Sequence, residues 1–364
     1  MFEHAVKNKI NLTRDDKKSD FYIAFGISKA FTYPVGVLIT SILENNKDIK
    51  ISFHIFIDNK IDDKELSRFK ELIKFYNTDI IIYEIDNSEF LNLDDKEFTV
   101  AAYYRFAIPY QLKDLTNEYL YIDADMVAIR DLKDYLNIDL KDNIAAVVDD
   151  FILDKKGNPI LLADNKKYFN SGMMYIDLKK WVEYKVSEKC IEILREINKF
   201  PEKKLKYGYE FRCFDQDALN IVLKNKVKYI EPKYNFLANI SLKHNKNLQN
   251  VPTDTIFIHY HGFNKPWHEW CFHPLARYFR NYKEISPWKN EPLDKYPTKY
   301  RQMRLYAKFY IKNGAFAFSN SSNLRVNLLA ITRTGCLCFP CATACFFLRS
   351  NSFFNLSALF CSVR

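Results

Sequence analysis

Long uncharged apolar runs are absent from this 364-residue chain. No stretch reaches the roughly 18 residues that a membrane-crossing helix needs. A secretory signal is missing too. The first twenty residues hold Glu3, Lys7, Lys9, Arg14, Asp15, Asp16, Lys17 and Lys18 with no continuous apolar run, and read as a charged tail. The expectation is a cytoplasmic catalytic part. Cysteine is sparse where it would matter: only Cys190, Cys213 and Cys271 lie before residue 314, at no regular spacing, as in a reduced cytosolic protein. There is no internal repeat. Beyond Gly314 there is no Lys, Asp or Glu, while Ser, Phe and five of the eight cysteines crowd in. Cys336, Cys338, Cys341 and Cys345 are irregularly spaced and lack a second half-site, so zinc is not the reading. Residues 314–364 read as a poorly ordered tail foreign to the domain.

Net positive charge is lacking in the body. Of the net +9, residues 260–313 carry +7 and the last four arginines +4, so everything before residue 260 sums to −2. A nucleic-acid binder would place a basic face on its folded domain, and none is expected here. Within residues 286–313, Arg301, Arg304, Lys308 and Lys312 fall on one helical stripe, opposite Met303, Tyr306, Ala307 and Tyr310. A basic amphipathic helix with aromatics suits an anionic membrane surface. The expectation is peripheral attachment to the inner face of the cytoplasmic membrane.

What is present centres on Tyr119–Ile129, an aromatic and β-branched run that reads as a buried strand. Asp123 and Asp125 sit one residue apart at its exposed end. On an extended backbone they project to one side, where two unpaired carboxylates would repel. A divalent cation such as Mg²⁺ or Mn²⁺ relieves that repulsion; a strand running into a solvated turn is the plain alternative.

Around this run the chain alternates strand and helix. Phe21–Gly26, Ile51–Ile57 and Ile80–Ile85 read as strands, with helices over Pro34–Leu43 and Asp62–Tyr76. That order implies an α/β fold with a parallel sheet and helices on both faces. Further helices are expected over Val100–Ile108, Lys179–Asn198 and Asp215–Leu223, and strands over Ile144–Val148, Gly172–Leu178 and Thr255–Ile258. Ligands bind such sheets beyond the carboxyl ends of the strands. Acidic or histidine side chains mark three strand ends there: 123/125, 149/150 and 259/261. Three elements converging is a stronger site signal than any one of them. Asn170-Ser171-Gly172 could be a turn, and Asp215 and Asp217 a helix cap that the macrodipole favours, which leaves Gln216 unexplained. In His259–Trp267 a glycine permits close backbone approach and Lys265 can meet a phosphate.

These residues, in this order, resemble the family 8 retaining glycosyltransferases, nearest to the bacterial lipopolysaccharide hexosyltransferases. The resemblance covers about residues 21–285. It runs through Ala24-Phe25-Gly26-Ile27, Phe53-His54-Ile55-Phe56, Tyr103-Tyr104-Arg105 and Leu120–Asp125. Phe169–Gly172, Leu178–Trp181, Asp215–Asn220, His259–Gly262 and Lys265-Pro266-Trp267 complete it. It implies a GT-A fold, Mn²⁺ or Mg²⁺ held by Asp123, Asp125 and His259, a UDP-hexose donor carrying glucose or galactose, and a lipid-linked oligosaccharide acceptor. It places Arg105 on the donor's nucleotide, with Gly26, Ser28 and Ala124 also lining the donor site. Gly262 and Lys265 fall on the diphosphate, Asp149, Asn170 and Asp215 on the sugar hydroxyls, and Gln216 near the anomeric carbon. Ser28 stands where the lipopolysaccharide enzymes usually carry an Asp that reads uracil; a hydroxyl accepts that bond without the charge. Retention in hydrolases uses a carboxylate nucleophile about 5 Å from the acid. Gln216 is a poor nucleophile, which favours front-face attack assisted by the diphosphate, with Asp215 the reserve nucleophile. Competing readings are an aspartyl-phosphate phosphatase of the haloacid-dehalogenase type, whose fold normally begins with the Asp-x-Asp strand, and a non-catalytic carbohydrate-binding protein.

Overall fold

The structure, a computed structural model, describes residues 2–295 apart from 16, 59, 91–92, 94–99, 151–166, 201–213, 239, 241–249, 263 and 272. Its strands are β1 (Val6–Leu12), β2 (Phe21–Ile27), β3 (Ile51–Ile57), β4 (Thr78–Ile85), β5 (Glu118–Ile122), β6 (Met126–Ala128), β7 (Ala145–Asp149), β8 (Phe169–Asp177), β9 (Val227–Tyr229), β10 (Phe236–Leu237) and β11 (Phe257–His259). The helices are α1 (Thr32–Asn45), α2 (Asp63–Phe75), α3 (Ile108–Leu112), α4 (Lys133–Leu136), α5 (Leu178–Glu183), α6 (Val186–Lys199), α7 (Phe214–Val222) and α8 (Ala276–Ile285).

One sheet runs β1-β4-β3-β2-β5-β8-β7-β9 and a small one β10-β11-β6. The centre is parallel, as the strand–helix alternation predicts: β3 pairs parallel with β2 and β4, and β2 with β5. Every position of β3 is buried, the mark of a strand covered on both faces. The sheet is nonetheless mixed, because β8 runs antiparallel to both β5 and β7.

The supposed N-terminal tail supplies β1, antiparallel to β4 at the sheet edge. Its lysines and asparagines belong there: an edge strand with one solvated face reads as polar, and charge protects it from further pairing. Tyr119–Ile129 is likewise not one strand. It breaks at Asp123–Asp125 into β5 and β6, which enter different sheets. The expected helix near Val100 is a 3-10 turn over Val100–Phe106, and Lys185, at φ 55°, divides the long helix after β8 in two. Asn170-Ser171-Gly172 lie inside β8 rather than in a turn.

The folded body also extends past residue 285. Trp288 is fully buried, its ring edge-on to Phe69 at 5.1 Å and its Nε1 donating to Glu65 Oε2 at 2.6 Å. Glu291 pairs with Arg68 at 2.7 Å. The stripe from Arg301 to Lys312 and the residues after Gly314 lie outside the described residues. Among the described residues no helix is long and apolar enough to cross a membrane.

His54, one of the motif residues, is a core residue. Its ring lies between Ser52 Oγ and Tyr83 Oη, each at 3.0 Å, and burial pushes its pKa down to about 3. The unfolded chain binds a proton near pH 6.5 that the fold refuses. The stabilisation is therefore present above 6.5 and is lost as pH falls toward 3. Between pH 7 and 5 this one group should remove about 2 kcal/mol of stability. Urea unfolding of the wild type and His54→Gln at both pH values checks it: the variant's acid slope should be shallower by that amount.

Candidate active site

The break after β5 leaves Asp123 and Asp125 in a turn at the carboxyl end of the sheet. Register, not proximity in sequence, brings His259 to them. β11 lies antiparallel to β6 with His259 opposite Met126, and the Tyr260 N–H donates to the Asp125 carbonyl at 2.9 Å. His259 Nε2 lies 3.2 Å from Asp125 Oδ1. One ligand atom each from Asp123, Asp125 and His259 all fall within 4.8 Å of one another.

β8 makes room for this cluster. The β7–β8 register shifts between Val147 and Val148, which face Met174 and Asn170, so β8 bulges at Ser171–Met173. The Gly172 carbonyl accepts from the Asp123 N–H at 2.8 Å. A Cβ at Gly172 would lie 2.5 Å from His259 Cε1 and 2.7 Å from Asp123 Oδ2. The missing side chain leaves the space in which two carboxylates and an imidazole converge, and such an oxygen-rich donor set with one nitrogen fits Mn²⁺ or Mg²⁺.

Charge on the cluster is balanced from two sides. Burial would raise the Asp125 carboxyl, but Lys265 and His259 outweigh it and hold it well below the usual carboxylate range. Lys265 Nζ bonds Asp125 and also the Tyr260 carbonyl, the latter at 2.8 Å. Burial disfavours charged His259, yet the adjacent Asp125 carboxylate more than compensates, and its pKa moves up.

On the other side stands Arg105. It rides on the 3-10 turn packed against Gly26, where a Cβ would come within 2.9 Å of the Ala101 carbonyl. Its guanidinium is already engaged by side chains of the site. It is buried, donates to Asp123 Oδ1 at 3.0 Å and to Ser171 Oγ at 2.8 Å, pairs with Asp215 at 3.1 Å, and lies 4.4 Å over the Tyr121 ring. Arg105 thus orients the carboxylates from behind. Burial pushes Asp215 up to about 6 despite that pairing.

Gln216, in the first turn of α7, is clamped at both ends. Its Nε2 donates to Asp150 Oδ2 at 2.6 Å, and its Oε1 accepts from the Ser171 N–H at 2.9 Å. Asp150 is the acid that enters the cluster, also accepting from Asn170 Nδ2 at 3.4 Å, and burial raises its pKa. Asp149, half-buried at the end of β7, acts electrostatically on both Asp150 and Tyr229. Ala124 is buried in the turn between the two acids, Ser28 is half-buried beyond β2, and Gly262, at φ +90°, is exposed. Asp150, Ser171 and Tyr121 stand within the sequence motifs without an assigned role, and Asn235 stands in none. Asp150 was at least marked by its strand end; Asn235 carried no signal.

Two family models match successive parts of the chain: glycosyl transferase family 8 over residues 22–271, and the C-terminal segment of that family over 273–324. The chain belongs to glycosyltransferase family 8. The second match covers Trp288 and runs past Gly314, into the stretch of altered composition. The lipopolysaccharide 1,3-galactosyltransferase of Salmonella typhimurium is 34% identical over 309 residues, 82% of this chain and 88% of that protein. The lipopolysaccharide glucosyltransferase WaaO of Escherichia coli is 35% identical over 332 residues, 88% and 92% of the two chains. Galactosyltransferase LgtC, solved with donor and acceptor sugar analogues, matches with a TM-score of 0.58 at 20% identity, covering 77% of this chain and 99% of its own. At that identity the likeness establishes the GT-A fold of this family 8 glycosyltransferase. The phosphatase and lectin-like readings are not favoured. β5 lies in the middle of the sheet order, with β1 to β4 before it in sequence, and not at the start of the fold.

Proposed function

We propose that this family 8 member is a retaining, metal-dependent hexosyltransferase that moves glucose or galactose from a UDP-sugar to the core oligosaccharide of lipopolysaccharide or lipooligosaccharide at the inner face of the cytoplasmic membrane. The observation that carries the reading is the convergence of Asp123, Asp125 and His259 beside Lys265. The names of the relatives support the hexose and the acceptor. Mn²⁺ or Mg²⁺ held by the three ligands would supply Lewis-acid charge against the departing diphosphate.

Lys265 and Gly262 meet the diphosphate, where a fixed ammonium stabilises charge that grows as the glycosidic bond breaks. Asn170, Asp215 and the acids at 149/150 position the sugar hydroxyls. Gln216, held between Asp150 and Ser171, presents an uncharged amide rather than a nucleophile. Asp215, the reserve nucleophile, has one carboxylate oxygen engaged by Arg105 at 3.1 Å. Both features favour front-face attack by the acceptor hydroxyl.

Release of UDP from UDP-glucose or UDP-galactose by the purified protein tests the reading. Release should require added Mn²⁺ or Mg²⁺, stop with chelator, and fall at least about 100-fold in Asp125→Asn. Equal release with chelator, or from the variant, would refute it.

A further inference from the structure

We propose that Asn235, which belongs to no sequence motif, is a positioning residue that sets which nitrogen of His259 carries the proton; this rests on the metal reading above. The chain of reasoning begins at a group that can only donate, the backbone N–H of Gly172. It donates to Asn170 Oδ1 at 3.0 Å. That contact identifies the oxygen end of the Asn170 amide and turns its Nδ2 toward Asp150. Asn235 faces the same Oδ1 at 2.9 Å and must present its own Nδ2 there. Its Oδ1 is then left opposite His259 Nδ1, 3.1 Å away. An amide oxygen only accepts, so Nδ1 holds the hydrogen. With Nδ1 committed to Asn235, Nε2, the nitrogen facing Asp125, is the one left to meet a cation.

Nothing in the surroundings can reverse this sense. Asn235 is 1% exposed, His259 3% and Asn170 7%. Turning either amide over would set oxygen against oxygen and N–H against N–H in a site that excludes water, leaving buried polar groups unpaired. A ligating histidine is commonly held in one tautomer by a partner on its other nitrogen. Here that partner is itself oriented by a backbone amide two hydrogen bonds further away. Asn235 also joins the imidazole to Asn170, the amide proposed to hold the sugar.

Titration with Mn²⁺ alone, with free ion counted by electron paramagnetic resonance, tests the assignment independently of turnover. Asn235→Ala should weaken Mn²⁺ binding about 10- to 100-fold. Asn235→Asp keeps an acceptor for Nδ1–H and should bind Mn²⁺ close to wild type. Its second oxygen opposes Asn170 Oδ1, however, and should raise KM for the UDP-hexose. A merely structural role would make both variants lose Mn²⁺ in step with thermal stability. Wild-type affinity in Asn235→Ala, or an aspartate variant that falls with the alanine one, overturns the proposal. In the Mg²⁺-loaded wild type, ¹⁵N NMR should find the His259 proton on Nδ1; a proton on Nε2 overturns it without any variant. A wild type that binds no Mn²⁺ at all removes both the metal reading and this inference. Tight wild-type binding with an unaffected alanine variant removes only the latter.

Discussion

Gly172→Ala is expected to abolish sugar transfer while leaving a folded protein. The added methyl would stand 2.5 Å from His259 Cε1, 2.7 Å from Asp123 Oδ2 and 2.9 Å from Asn170 Oδ1. None of these neighbours can retreat freely. The imidazole is tied to Asn235 and Asp125, and Asp123 Oδ1 accepts from both Arg105 and Tyr121 Oη, the latter at 2.8 Å. The strain is therefore taken up by moving the imidazole off the carboxylates. A displacement near 1 Å in a positioned site costs about 100-fold or more in rate. Overpacking at one buried position costs about 1–3 kcal/mol, which a domain of this size tolerates. Steady-state kcat/KM with saturating Mn²⁺, beside a thermal melt, separates the two effects. Activity within a few-fold of wild type would show that the bulge in β8 is not what opens the site.

Trp288→Ala is expected to be the most destabilising single change outside the site. The indole is fully buried, and its six-membered ring lies where a Cβ on Gly36 of α1 would be, at 2.4 to 2.5 Å. Removing a buried aromatic of this size costs about 3–5 kcal/mol, and here it also leaves Glu65 Oε2 without its donor. The melting temperature should drop by roughly 10 °C. A chain ending at Ile285 should fare worse, because it also loses the Glu291 pair with Arg68. If that truncation melted like the full chain, residues 286–295 would be an appendage after all.

The success of sequence reading followed the range of the interaction. Strands β2, β3 and β4 were legible because their burial on both faces leaves runs dominated by aromatic and β-branched residues, with few interruptions such as Ser52, His54 and Glu84. The capped start of α2, where Asp62 accepts from the Glu65 N–H at 2.9 Å, is equally local. β1 was missed for the same reason in reverse: an edge strand with a solvated face carries the composition of a tail. The break at Asp123–Asp125 was missed because a strand continuing and a strand crossing to another sheet share one residue pattern.

At the site, local chemistry marked three strand ends and suggested a cation at Asp123 and Asp125, while His259 as its third ligand came from the family resemblance. It did not reveal that Arg105 faces inward, since a guanidinium reads the same whether it meets a ligand or braces two carboxylates. The choice between Asp149 and Asp150 turned on the register shift in β8, which has no signature in β7. Asn235 was invisible, because a lone asparagine beside Tyr234 is ordinary until His259 and Asn170 are seen on either side of it.

The order of the central strands and helices, the family, and the types of group able to hold a cation came from the amino-acid sequence by itself, through periodicity and motif resemblance. Which of those groups meet, and which proton each one keeps, was decided only by the tertiary structure. Those contacts join residues of separate elements, as much as 140 positions apart for Lys265 and Asp125, and strand register, one glycine's missing side chain and the sense of buried hydrogen bonds exist only once the sheet has closed.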